Sequence, residues 1–102
     1  MKLTGKCKED FEKWLLYCGV YGEYEYHLDE DLVSHFENLK TSMKYGVYVD
    51  FFDSVDIRIS MNQHNKDFWV DIQKTFFESD MLLTRAEARI VAIEKANEIY
   101  NK

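Results

Sequence analysis

A chain of 102 residues has room for one domain and none for a second, and a content of 46% hydrophobic and 16% aromatic residues excludes the disordered class. Its 13 basic and 19 acidic residues leave a formal charge of −6, which repels phosphate backbones and anionic headgroups and so disfavours direct nucleic-acid binding. Charges interrupt every apolar run from MKLTGKCKEDFEKW onward, so neither a secretory h-region nor a membrane span is expected, and the cytoplasm is the expected location.

From Thr4, the residues Cys7, Phe11, Trp14, Leu15 and Cys18 form the apolar stripe of an amphipathic helix that Gly19 can stop. The Thr4 hydroxyl is expected to cap this helix, and Glu9 and Asp10 suit its positive end. Cys7 and Cys18 would then lie roughly 16 Å apart along the axis, beyond disulfide reach. Val20 to Tyr26, rich in tyrosine and without a clean period, is expected to be a loop.

A second helix is predicted from Asp29 to near Lys40, with Leu28 and Val33 as a staple and Leu32, Val33, Phe36 and Leu39 facing inward. Thr41 or Ser42 is expected to cap a third, whose apolar face is Met43, Val47, Tyr48, Phe51, Phe52 and Val55. A strand through Val47 to Val49 is the competing reading, but alternation fails at the Phe51 and Phe52 pair.

After Val55 the period changes to two. Ile57, Ile59 and Met61, then Phe68, Val70 and Ile72, alternate with polar residues, giving paired strands near 57–61 and 67–73 joined by a polar turn over Asn62 to Lys66. Thr75 to Phe77 can add a third strand. Thr84 and Glu87 form a T-x-x-E capping box, and Ala86, Ile90, Ile93, Ala96 and Tyr100 continue a helical stripe to the end. The expected fold is one α+β domain over 1–102: about four helices packed on an antiparallel sheet of two to three strands.

The search for chemistry returns little. His27, His35 and His64 have no partners at metal-ligand spacing, and Asp50, Asp53 and Asp56 recur every third residue as a ridge on a solvated face rather than as a calcium loop. Cys18 sits on an apolar stripe, where a thiol behaves as a small hydrophobe. No phosphate-binding glycine loop is present, and neither a metal nor a cofactor is expected. Arg85 and Arg89 stand one turn apart at the start of the last helix and are the candidates for binding an anion; the plainer reading pairs them with Glu87, Glu94 or other surface acids. Aromatic residues exceed what so small a core requires, so Tyr45, Tyr48 and Trp69, with Asp50 and Asp53, are the candidate protein interface.

Two blocks, SMKYGVYVDFFDSV over Ser42 to Val55 and TRAEARIVAIEKANEIYN over Thr84 to Asn101, resemble short uncharacterised proteins encoded by phages and prophages of gut bacteria. They cover about a third of the chain and flank the hairpin. The resemblance brings no assigned activity and no site residues; it implies an accessory role in the host cytoplasm, commonly filled by small acidic proteins that bind and block a host protein. The expected function is therefore non-enzymatic: binding and modulating or inhibiting a host protein, such as a defence factor, with a DNA-mimicking acidic surface as one route. Binding of a nucleotide or another anion is the first alternative. A structural or dimerisation module is the second, because a hairpin edge can pair with a second copy.

Overall fold

The computed structural model describes residues 1–17, 29–73, 77–81 and 84–102, with side chains for all of these except 16–17 and 29–32. In chain order it contains α1 (Gly5–Tyr17), α2 (Asp29–Glu37), α3 (Thr41–Ser54), β1 (Ile59–His64), β2 (Asp67–Ile72), β3 (Phe77–Glu78) and α4 (Arg85–Tyr100). The strands form one antiparallel sheet in the order β1-β2-β3, so the α+β class read from the change of hydrophobic period is the class observed. The loop expected at Val20 to Tyr26, the staple residue Leu28 and the strand residues Thr75 and Phe76 lie outside the described residues.

Large rings make the core between the helices. Phe11 of α1, Phe36 of α2, and Tyr48 and Phe51 of α3 meet with centroids 5.0 to 5.4 Å apart, in the tilted and edge-on arrangements that the ring quadrupole favours. Phe52 and Leu15 complete this cluster, which continues to Ile72 of the sheet and Ile93 of α4. Met43 and Val55, placed on the same apolar face by spacing, are instead 57% and 36% exposed. They stand at the two ends of α3, past the reach of the partners that cover its middle.

The helix ends are built differently from the expected caps. Lys40, not Thr41 or Ser42, is the N-cap of α3 and supplies no side-chain hydrogen bond. Thr4 does not cap α1 with its own hydroxyl. Instead the Thr4 amide donates to Asn97 Oδ1 and the Cys7 amide to Asn101 Oδ1, both at 2.9 Å, while the Thr4 hydroxyl accepts from Asn97 Nδ2. Two asparagines from the end of α4 thus satisfy orphan amides at the start of α1. At Gly5, with φ +60, an added Cβ would come within 3.2 Å of Asn101 Oδ1, so glycine fits here for both reasons.

α2 ends at Glu37, three residues before the expected stop at Lys40. α3 ends in paired bonds, from the Ile57 amide to the Phe52 carbonyl at 2.8 Å and from the Asp56 amide to the Asp53 carbonyl at 3.2 Å. This is a Schellman motif with Asp56 at φ 64 in the position that glycine usually holds. Thr84 caps α4 as expected, its Oγ1 accepting from the Glu87 amide at 3.1 Å, but the Glu87 carboxylate accepts from the Thr84 hydroxyl at 3.3 Å, so only half of the capping box is made.

Strand register sorts the sheet into two faces. Ile59 pairs with Ile72, Met61 with Val70 and Gln63 with Phe68, placing these six side chains on one face, which Phe77 of β3 joins. The turn is shorter than expected, only Asn65 and Lys66, with Asn65 at φ 56; Asn62 to His64 belong to β1. α4 covers the apolar face with Ala88 and Ala92 against Val70. Its buried stripe is Ala88, Ala92, Ile93 and Ala96, whereas Ala86 is exposed and Ile90 is 39% exposed, a rotation from the stripe that spacing suggested. Counting apolar residues favours the isoleucines. Packing favours small side chains where a helix must lie close over bulky Val70, Met61 and Phe68.

Candidate functional site

The opposite face of the sheet carries Ser60, Asn62 and His64 from β1, Asp67, Trp69 and Asp71 from β2, and Glu78 from β3. All sheet residues in the two apolar clusters come from the helix-covered face. Trp69 belongs to neither cluster and is half-buried. Asp67 and Asp71 flank it along β2, two residues away on each side and therefore on the same face. Asn62 Nδ2 donates to Asp71 Oδ2 at 2.9 Å and fixes that carboxylate.

Asp71 and Glu78 stand directly opposite each other across the β2–β3 pair. Like charges in that position repel and weaken a ladder by roughly 0.2–1 kcal/mol. Among the described residues, no lysine or arginine forms an ion pair with either. The face thus combines a large aromatic ring with acidic groups that have no counter-charge among the described residues.

A second cluster lies where α4 begins. The Arg85 guanidinium sits 5.3 Å from the centroid of Phe68, and that of Arg89 sits 5.8 Å from the centroid of Tyr45. Phe68 and Tyr45 both pack on the Val70, Ala88 and Ala92 cluster, which places both arginines on the side of α4 that meets the sheet and α3. Burial pushes the Tyr45 phenol above its ordinary value of 10.0, while the nearby Arg89 charge pulls the other way. Neither Glu87 nor Glu94 pairs with these arginines, contrary to the plainer sequence reading. The reason is directional: Glu87 is turned to the Thr84 cap, and the arginines lean over rings instead.

The residues expected to share one interface do not gather. Tyr48 is 3% exposed inside the ring cluster and presents no surface, which removes it from any interface. A tyrosine flanked on its helix by Val47, Phe51 and Phe52 follows them into the core. Tyr45 lies on the helix-covered side of the sheet and Trp69 on the other, while Asp50 and Asp53 are exposed on α3. Asp67, Asp71 and Glu78 were passed over in the sequence, although the period of two puts Asp67, Trp69 and Asp71 on one face without any structure.

Other candidate chemistry is weak. Among the described residues no group of three or more His, Cys, Asp or Glu side chains could hold a metal ion. His35 and His64 are exposed, and His27 and Cys18 lie outside the described residues. Burial pushes the Cys7 thiol up to about 12, so it stays protonated and unreactive at neutral pH. A cavity of about 200 Å³ between α1, α2 and α3, with Lys2, Lys8, Glu12 and Glu37 in its lining, is smaller than ordinary ligand clefts of roughly 300–1,000 Å³. No described helix is long and apolar enough to cross a membrane. No protein-family model matches the chain, and no curated protein or solved structure does.

Proposed function

We propose that the chain is a non-enzymatic accessory protein that binds a basic surface of a host protein in the cytoplasm through the outer face of its sheet. The observation that carries this reading is the pair of opposed carboxylates, Asp71 and Glu78, which among the described residues have no cation partner and stand beside Trp69. An arginine or lysine from a partner would relieve their repulsion and could stack on the indole, whose large ring is the kind that dominates binding energy at protein interfaces. Asp67 adds a third carboxylate on the same face. The host as the source of the partner, and an inhibitory or modulating outcome, rest on the resemblance of the two blocks to phage-encoded proteins.

The test uses the full chain as bait in a bacterial lysate, beside Trp69→Ala and Glu78→Gln. A partner captured by the parent should be lost with Trp69→Ala and weakened with Glu78→Gln, and its capture should fall as salt is raised. Glu78→Gln should also raise the melting temperature slightly, since it removes a like-charge contact. Equal capture by all three chains would overturn the reading.

A further inference from the structure

We propose that Arg85 and Arg89 form a binding site for a phosphate group, either free as orthophosphate or carried by a nucleotide. The site lies on the helix-covered side of the sheet and does not depend on the protein-binding face.

The case starts from what the two guanidinium groups lack. Of the three arginines, Arg58 makes an ion pair, whereas Arg85 and Arg89, like Lys2, Lys8, Lys13, Lys40 and Lys66, make none among the described residues. Neither donates a hydrogen bond to a described residue either. Among the described residues their side-chain partners are the rings of Phe68 and Tyr45. A ring steadies a guanidinium through its charge and uses none of its five N–H donors, so both forks remain open.

Position then limits the ligand. Residues four apart on a helix place their Cβ atoms roughly 5–6 Å from each other, close enough for two forks to converge on one tetrahedral oxyanion. Each ring contact restricts its arginine's rotamers in advance, which lowers the ordering cost of binding. The N-terminus of α4 plays little part, because the Glu87 amide is already held by Thr84 and the Glu87 carboxylate is near that cap. A phosphate dianion matches two cations better than a carboxylate does, by charge and by the number of acceptor oxygens.

The experiment titrates orthophosphate and, separately, adenosine monophosphate into the full chain at fixed ionic strength, following arginine Nε–Hε resonances. The Arg85 and Arg89 signals should shift and saturate, while that of Arg58, which is paired with Asp56, should stay in place. Arg85→Gln and Arg89→Gln should each weaken binding by about tenfold or more, with unchanged melting. Equal affinity for both ligands would assign the site to the phosphate alone, and tighter binding of the nucleotide would add its base. Absence of a saturable shift in the unsubstituted chain, or an equal shift at Arg58, overturns the proposal.

Discussion

The two ends of the core are packed on opposite plans. Between α1, α2 and α3 the cluster is made of large rings, with Phe11, Phe36, Phe51 and Phe52 all at 4% exposure or less. Over the sheet, α4 contributes alanines, and Val70 meets Ala88 and Ala92. Rings fill volume at the helical end and turn their neighbours inward, so its apolar groups are spent on one another. The alanine stripe lets the α4 backbone lie close to the strands, and the longer side chains at its margin, Arg85 and Arg89, lean over Phe68 and Tyr45. The candidate binding groups therefore collect at the end where packing is made by small residues, while the ring end serves stability.

Breaking the helical end should have the largest effect. Phe52 is fully buried, with its ring 5.2 Å from that of Phe51. Phe52→Ala should cost about 3–5 kcal/mol, from lost transfer energy and the cavity left behind. That is a large part of the stability of a domain this size, so chemical denaturation should show a much lower midpoint or no folded baseline. A cost below about 1 kcal/mol would mean that the ring cluster does not carry the fold.

Alkali should also weaken this end. Burial holds the Cys7 thiol up to about 12 from 9.0 and raises the Tyr48 phenol above 10.0, and the hydrogen bond to Asp10 with partial burial lifts Tyr100 to about 12. In each case the folded state keeps a proton that the unfolded chain releases. Stability is therefore complete below about pH 9 and declines as pH rises through the range from 9 to 12. Denaturant midpoints measured from pH 8 to 11.5 should fall over that range, and Tyr100→Phe should make the decline shallower by removing one group. A midpoint independent of pH up to 11 would show that these groups titrate alike in both states.

How much of this was legible in sequence follows the same division. Periodicity located the four helices and the hairpin of the described residues, because burying one face imposes a rhythm on each element. It misjudged the buried side of α4, since an alanine stripe reads as weakly apolar although close approach to Val70 demands it. It also missed the seal of α1 by Asn97 and Asn101, whose partners Thr4 and Cys7 are more than ninety residues away. Tyr48 counted as a surface candidate because tyrosine suits interfaces, and only packing places it inside. Spacing singles out both arginines; that they lean over rings from β2 and α3 instead of pairing with described acids is something no local pattern reveals.

The smallest effect, and the one of opposite sign, belongs to the joint between the two ends. Asp56 holds a left-handed conformation at φ 64 where α3 gives way to β1, and a Cβ in that region costs roughly 1 kcal/mol relative to glycine. Its ion pair with Arg58 spans 3.4 Å between half-exposed groups, and an exposed pair of this kind is worth little, though it is not the only interaction that Asp56 makes. Asp56→Gly loosens the unfolded chain as well, which subtracts part of the gain. The net expectation is stabilisation by about 0.5 kcal/mol, read as a small rise in denaturant midpoint at unchanged slope. Because the Ile57 amide must still reach the Phe52 carbonyl, Asp56→Val should move the midpoint the other way and further, a β-branched residue being least suited to positive φ. If glycine and valine destabilised alike, the aspartate side chain rather than its backbone conformation would be what joins the ring cluster to the sheet.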